Sequence, residues 1–477
     1  MEEAAAATHG VLSLLPPVLA IVLAMWSRRV YLSLLAGIWL GWTILSGWNP
    51  AAGAAGTIDA TVRVLGEPSN ARVLLFTFAI GALIAVVEAN GGVRGFVRRV
   101  ESREWVNSAR RARLMAWIVG LVIFIESNIT ILVAGSVARP LFDRFRVSRE
   151  KLAYLIDSTS APICILIPFN AWGAYVLGLL GGLGVERPLG VFLAAIPLNL
   201  YALGAVVLAG LAAALGFDWG PMREAEARAA RGETVSEEGT TMAGPDRIAP
   251  EPPEGAPLRA VNMVLPIAVM VLTMPVGMYV TGDGSLAQGS GTTSVLWAVS
   301  AGLAAAWLLS LGQGILDAER LSEVSLEGAG GLTGMALVLL LALVLGNVTG
   351  ELGTGDYVAG VVGGTIPLPL LLPLLFLAAG FIAFATGSSW GTFAIVLPLA
   401  VPLAAELGLA PAPFVAAVLS GGIFGDHCSP ISDTTIISSL AAATDHVDHV
   451  RTQLPYALTA GAVAAAGFAA VGGWLAL

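Results

Sequence analysis

Apolar runs long enough to cross a bilayer recur along the whole chain, among them Val11–Trp26 (VLSLLPPVLAIVLAMW), Val30–Trp48 (VYLSLLAGIWLGWTILSGW) and Gly331–Val348 (GLTGMALVLLLALVLGNV). A helix needs about 20 such residues to span the hydrocarbon core. A soluble fold has no means of covering so many of them. Of the 477 residues, 56% are hydrophobic and 12% charged, with a mean hydropathy of +0.82, against roughly 25% charged in a soluble protein. Only helices and closed barrels satisfy their backbone in lipid, so the expected fold class is an all-α polytopic membrane protein.

The N-terminal MEEAAAATHG is acidic where a cleavable leader is basic, so the first apolar run is expected to stay as a span. Cys164 and Cys428 lack the spacing of a metal knuckle or a disulfide framework and read as reduced. The formal charge of −9 gives no reason to expect a nucleic-acid partner. Much of it lies in residues 216–257, where Asp218–Pro257 holds nine acidic residues against four arginines among Pro, Gly, Ser and Thr. That segment is expected to be a solvated, partly disordered linker.

Basic residues set the topology. Arg94–Arg113 carries seven arginines and Arg139–Lys151 five basic residues, so both loops belong on the cytoplasmic side. Only LMAWIVGLVIFIESNITILVAGSVA, residues 114–138, separates them, and a single crossing would put them on opposite faces. A re-entrant hairpin with its tip at Glu126, Ser127 and Asn128 resolves the conflict: arms of about 12 residues at 1.5 Å each reach about 18 Å, to the midplane and back.

With that hairpin placed, residues 1–215 read as spans near 11–26, 30–47 and 72–90, hairpin 114–138, broken helix 152–181 and span 190–214. Residues 258–477 repeat the order, with spans near 259–281, 292–311 and 328–349, hairpin 366–405 interrupted by FATGSSWG, broken helix 410–441 and span 455–476. The expected architecture is two inverted-topology repeats, each with a hairpin and a broken helix, joined by a cytoplasmic linker. The N-terminus then lies outside, in the inner (plasma) membrane of the cell.

The two broken helices hold DSTSAPICILIPFNAWG, Asp157–Gly173, and GIFGDHCSPISDTT, Gly422–Thr435. Pro162 and Pro430 are expected to interrupt them and free carbonyls, which lipid tolerates only around a liganded or wet cavity. A mid-membrane carboxylate costs a few kcal/mol or more and is kept for function. One candidate cation or proton site combines Asp157, Ser158 and Thr159 with Glu126, Ser127 and Asn128. The other combines Asp426, Ser429, Ser432 and Asp433 with Thr386, Ser388 and Ser389. Asn170, Trp172, Trp390 and His427 are candidates for a substrate cavity. Each Ser or Thr can instead bond back to its own helix. His427 and Cys428 have no further partners at ligand spacing, so Na+ fits and a transition metal does not. His446 and His449 in ATDHVDHV read as solvated loop.

FATGSSWGTFAIVLPLAVPLA, AAVLSGGIFGDHCSPISDTTIISS and DHVRTQLPYAL, with SREKLAYLIDSTSAPICILIPFNAWG in the first half, resemble the NhaC-type sodium/proton antiporter family over residues 70 to 460. The resemblance implies a sodium-coupled secondary carrier of the wider ion-transporter superfamily, with two hairpins and two unwound helices around a midplane site, commonly as a homodimer. It carries Asp157 and Asp426 over as the ion or proton carboxylates. Family members often show paired aspartates in an FDDY-like stretch where this chain has FIESN, with Glu126 as the carboxylate in that place.

The expected function is Na+/H+ antiport by alternating access, with Na+ as coupling ion, no organic cofactor and no enzymatic activity. The rival is Na+-coupled movement of a small organic solute, an amino acid or a dicarboxylate, as in relatives that exchange malate and lactate. A hydrolase using Asp426, His427 and Ser429 has the residue types but not the geometry, since neighbours in one short break make a poor relay. The hairpin is testable by itself. Cysteines introduced at Arg113 and Arg139 are expected to label from the same side of the membrane, and labelling from opposite sides removes the hairpin and the inverted repeat.

Overall fold

The computed structural model describes residues 9–27, 29–101, 106–124, 127–168, 170–233, 252–253, 255–284, 289–354, 357 and 366–476, and every regular element among them is helical. The first half runs through α1 (Leu15–Ser27), α2 (Val30–Leu45), α3 (Pro50–Gly66), α4 (Pro68–Ala89), amphipathic α5 (Gly92–Glu101), α6 (Ala109–Val122) and α7 (Ser127–Arg144). An interrupted run follows, α8 (Arg149–Asp157), α9 (Ala161–Leu166) and α10 (Ala171–Gly182), then α11 (Pro188–Ala195), α12 (Leu200–Leu215) and α13 (Pro221–Ala230). The second half holds α14 (Val261–Thr281), α15 (Gly291–Gly312), α16 (Ala318–Gly331), α17 (Thr333–Glu351), α18 (Leu368–Thr386), α19 (Ser389–Glu406), α20 (Pro411–Cys428), α21 (Asp433–Ala442) and α22 (His446–Leu475).

Among the described residues, six helices are long and apolar enough to cross a membrane alone, and taking each bent pair as one span raises the number to 11. Trp26, Leu272, Leu308, Phe381 and Val463 are left exposed on this surface, which is the arrangement that hydrocarbon accepts. The protein is a multi-pass membrane protein.

Two helices fall where the sequence suggests loop. In α3 the run AAGAAGTIDATVRVLG has few large apolar residues, so periodicity is weak. Its start is nonetheless well specified: the Asn49 side chain accepts from the N–H groups of Ala51 and Ala52, and Pro50 fills the first turn. α16 begins in the same way on Asp317, which accepts from Arg320 N–H. The arms α6 and α7 outrun the apolar segment, reaching into the flanking arginines, so they are longer than the expected 12 residues.

The halves interlock. α4 packs against α15 and α16 of the second half, and α17 packs against α2 and α3 of the first. At the α4–α16 crossing Gly81 and Gly328 meet backbone to backbone, and a Cβ on either would strike the other's carbonyl oxygen. At the end of α4 polar atoms are paired to α15 and α14, Asn90 Nδ2 donating to Ser310 Oγ at 3.1 Å and Asn262 Nδ2 to the Asn90 carbonyl at 3.2 Å.

The first part of the linker departs from the expected solvated coil. α13 docks against α8 and α22, burying Met222, Ala225 and Ala229. Lys151, the only lysine of the chain, is completely buried and pairs with Asp218, which also accepts from Tyr456 Oη at 2.8 Å. Arg228 pairs with buried Glu150, and Glu226 accepts from the N–H and hydroxyl of Ser148, at 2.9 and 2.6 Å, at the start of α8. Acidic composition hides this helix because Glu226 and Arg228 are spent on partners at the start of α8, while Arg223 and Glu224 face solvent. Residues 234–251 and 254 of the expected coil lie outside the described residues.

Removing one partner of a buried ion pair leaves the other uncompensated and costs about 3–5 kcal/mol. Lys151→Ala is therefore expected to lower the unfolding temperature in detergent clearly, and Lys151→Met with Asp218→Asn to recover much of the loss. Burial pushes the Glu226 carboxyl above its usual 4.5, while the Ser148 hydroxyl and N–H pull it back. A carboxyl raised in the folded state favours the protonated form there, so docking of α13 weakens as pH rises above that usual value. Glu226→Gln should flatten this dependence, and an unchanged pH–stability curve in the variant would contradict it.

Candidate functional site

Each half presents a helical break to the turn of a helix pair. In the second half α20 ends at Cys428 and α21 starts at Asp433, with a 47° bend across Ser429–Ser432. α18 and α19 meet at Gly387, whose φ of +65° is left-handed and whose missing Cβ leaves room for the backbone of Ile431. Ser429 Oγ donates to the Phe384 carbonyl at 2.8 Å, tying the break to that turn.

The first half solves the same problem with different side chains. Its bend of 41° lies at Ile167–Asn170, between Arg149–Leu166 and Ala171–Gly182. The helix is also interrupted where the sequence expects it: α8 ends at Asp157, a turn covers Ser158–Ser160, and Pro162 sits in the first turn of α9, where its missing N–H costs nothing. Asn170 holds the larger bend further on: its Nδ2 donates to the carbonyls of Phe124 at 2.8 Å and Cys164 at 2.9 Å, and its Oδ1 accepts from Gly173 N–H at 2.9 Å. Phe124 and Phe384 thus play one role, each four residues after a glycine, Gly120 and Gly380.

Asp426, 1% exposed in the last turn of α20, accepts from Ser432 Oγ at 2.9 Å and Thr434 Oγ1 at 3.0 Å. The charges of Asp433 and Asp157 act on it as well. Asp157, fully buried at the end of α8, accepts from Ser438 Oγ at 3.2 Å and Gln453 Nε2 at 2.6 Å, both in the second half. Gln453 Nε2 also donates to the His427 carbonyl at 3.0 Å, so one amide bridges Asp157 to the residue after Asp426. Among the described residues no lysine or arginine pairs with either aspartate.

Beside this bridge lies a cavity of about 10 Å³, room for about one water molecule. Tyr154, Ser158, Tyr201, His427, Gln453 and Tyr456 line it. Tyr201 Oη and His427 Nδ1 are 3.1 Å apart, while His427 Nε2 and Tyr154 Oη are buried with no protein partner. Two unpaired polar atoms at one small void are the setting for a bound water or ion. Among the described residues no three His, Cys, Asp or Glu side chains converge as a metal group. A cation here would rest on carboxylate, hydroxyl and carbonyl oxygens.

The family profile described as "Na+/H+ antiporter family" matches residues 183–473. The chain belongs to the Na+/H+ antiporter family. It is 35% identical to an uncharacterised protein of Haemophilus influenzae over 98% of this chain and 91% of that one. It is 34% identical to the malate-2H+/Na+-lactate antiporter of Bacillus subtilis over 29% of this chain and 31% of that protein. In fold it is similar to the YdaH transporter of Alcanivorax borkumensis, with a TM-score of 0.61 at 15% identity, covering 89% of each chain. Family and fold are those of membrane transporters, and the protein is a secondary transporter.

Within this antiporter-family chain the expected site residues divide. Ser158 and His427 line the cavity, and Ser432 bonds Asp426. Thr159 bonds back to the Leu155 carbonyl and Thr386 to that of Ile382, each at 2.8 Å. Ser388 caps α19 by accepting from Gly391 N–H at 3.1 Å, and Ser389 donates to the Gly422 carbonyl at 3.4 Å. Ser127 and Asn128 open α7, and Glu126 lies outside the described residues. Trp172 packs on Trp390 with ring centroids 4.4 Å apart, joining α10 to α19, so both rings serve the contact between halves. Asp433 is exposed at the start of α21 and accepts from Thr434 N–H at 2.9 Å.

Sequence reading missed Thr434, Ser438, Gln453, Tyr154 and Tyr201. Gln453 offered little signal, since it ends the polar opening HVDHVRTQ of α22 and reads as part of it. Asn170 offers a direct test of the first break. Asn170→Ala leaves the Phe124 and Cys164 carbonyls without this donor, at about 1–3 kcal/mol per buried unpaired group, and is expected to lower the unfolding temperature in detergent. An unchanged temperature would show that the break is held otherwise.

Proposed function

We propose that the protein exchanges Na+ for H+ across the membrane, and that Asp157 and Asp426 are the seats the two cations share. One observation carries this reading: two buried carboxylates, one from each half, are held by hydroxyl and amide partners and, among the described residues, by no basic side chain, and the Gln453 amide that holds Asp157 also bonds the carbonyl of His427, the residue after Asp426. A buried carboxylate without a counter-ion must hold a proton or a metal cation. Those are the two loaded states of an exchanger. The candidate sites expected from sequence then merge into one region, because Asp157 bonds across to α21 and α22.

The exchanged packing of α4 and α17, and the matched breaks tied to Phe124 and Phe384, support inverted repeats that alternate access around this region. The arginines of Arg94–Arg113 support a cytoplasmic linker in a plasma membrane. A second reading, Na+-coupled exchange of a small organic acid, draws on the likeness to the malate-2H+/Na+-lactate antiporter. The cavity described above admits a water or an ion, so an organic anion requires it to open.

Purified protein in liposomes with an imposed Na+ gradient separates the two. Internal pH changes driven by Na+ alone select Na+/H+ exchange, and movement only when a dicarboxylate or amino acid is supplied selects the second reading. Asp157→Asn and Asp426→Asn preserve shape but remove charge and proton, and each is expected to reduce Na+-driven proton movement at least tenfold in a folded, inserted protein. Asp433→Asn is expected to lose less. Wild-type Na+ and pH dependence in both of the first two variants would refute the mechanism.

A further inference from the structure

The start of α22 holds polar chemistry that the exchange site leaves unused. His449 is fully buried and His446 half-buried, against the expectation of a solvated loop, because α22 begins at His446 and turns this face onto α8 and α21. His446 Nε2 lies 2.6 Å from the Pro430 carbonyl oxygen, which can only accept, so His446 carries a proton on Nε2. Gln453 donates from Nε2 to Asp157 and to the His427 carbonyl, which fixes its amide orientation and leaves Oε1 as an acceptor. His449 Nε2, 3.0 Å from that Oε1, therefore carries a proton as well.

Both Nδ1 atoms then aim at one hydroxyl. Ser439 Oγ lies 3.0 Å from His446 Nδ1 and 2.9 Å from His449 Nδ1, and a hydroxyl has a single hydrogen to give. Two neutral imidazoles would offer it two bare nitrogens, and one of these would face oxygen with no proton between them. His449 Nδ1 is also 3.2 Å from the Thr435 carbonyl, which is itself 2.8 Å from Ser439 Oγ. One added proton satisfies the arrangement and its absence does not.

We infer that His446, Ser439 and His449 form a proton-binding site holding one proton more than two neutral imidazoles, and that Gln453 couples its charge to Asp157. The site stands on the hydrogen-bond geometry, and its use in exchange rests on the Na+/H+ reading. Burial opposes a charge on His449. Offsetting it are the acceptor oxygens of Ser439, Thr435 and Gln453 and, in the states of the exchange cycle in which it is ionised, the carboxylate of Asp157 on α8 beyond Gln453. Asp433 opens α21, on which Ser439 lies. Asp445 and Asp448 add negative charge from α22 itself, beside Arg451. Arg149 on α8 is held by Asp143 and the Ala443 carbonyl, Lys151 by Asp218, and Arg228 on α13 by Glu150, so none of these three cations is left uncompensated against the pair.

The chain has four histidines, which makes a spectroscopic test tractable. Full-length protein with ¹⁵N-labelled histidine, reconstituted in lipid, is expected at neutral pH to show one imidazole of this pair protonated on both nitrogens. That signal should vanish in His449→Gln and be altered in Ser439→Ala. Bare Nδ1 on both rings across the pH range in which the protein stays folded overturns the site. In proteoliposomes, His449→Gln and Ser439→Ala are expected to shift the pH profile of Na+-driven proton movement by about one unit or more, and Ser439→Thr, which keeps the hydroxyl, to retain the wild-type profile. Active variants with wild-type profiles overturn the coupling. A wild-type protein that moves no protons with Na+ refutes the antiport reading instead, and the spectra still decide the proton site.

Discussion

A carboxylate placed among packed helices with no basic partner is the constraint around which the rest of the molecule is arranged. Asp426 is held by Ser432 and Thr434, and Asp157 by Ser438 and Gln453. Hydroxyls and amides orient an anion without neutralising it. A fixed arginine would stabilise the same carboxylate far better and would leave no demand for a mobile cation. The absence of such a partner at these two residues is consistent with a site that must be filled and emptied.

Such a site needs backbone as well as side chains, and backbone is costly in lipid. Breaking a helix frees carbonyl and amide groups that water does not reach, so each break must bring its own partners. The two halves reach a common answer by separate means. Asn170 spends its whole amide on three backbone groups, whereas Ser429 reaches the Phe384 carbonyl and Ser432 caps α21 by accepting from Thr435 N–H. Most hydroxyls near the breaks are likewise committed to backbone, as in Thr159 and Thr386. Their abundance in the sequence therefore reflects the cost of irregular backbone more than the number of cation ligands.

This explains what was legible in advance. Apolar runs marked the main spans, the expense of a charge within an apolar span drew attention to Asp157, Asp426 and Asp433 alike, and the family resemblance set the first two apart. The bend at Ile167–Asn170 was not foreseen because Pro162 and Pro168 are equivalent on paper, and only position within a helical turn tells a proline that opens a helix from one at a bend. Asp157 was assigned to its neighbours in sequence, but its partners Ser438 and Gln453 lie nearly 300 residues away and are brought to it by the packing of α8 on α21 and α22. His449 and α13 were hidden for another reason: clustered charges read as water-facing whenever their partners are distant in sequence.

The position of Asp157 is also tied to the linker. It ends α8, a helix of nine residues whose first turn carries Ser148, Glu150 and Lys151, each engaged by α13 or by the segment leading into it. A helix of that length is about 13 Å long and stiff, so a shift at its anchored end moves the carboxylate at the other. Tyr456 extends the linkage, since it donates to Asp218 and stacks on Trp219 while lying on the same helix as Gln453. Both groups that position the Asp157 carboxylate, its own helix and the amide that bonds it, are thus fastened at the same end to the same short stretch. Asp218 and Glu226 thus contact α8 and α22 together, which is why part of a segment with the composition of a spacer packs into the helical body instead of lying in solvent.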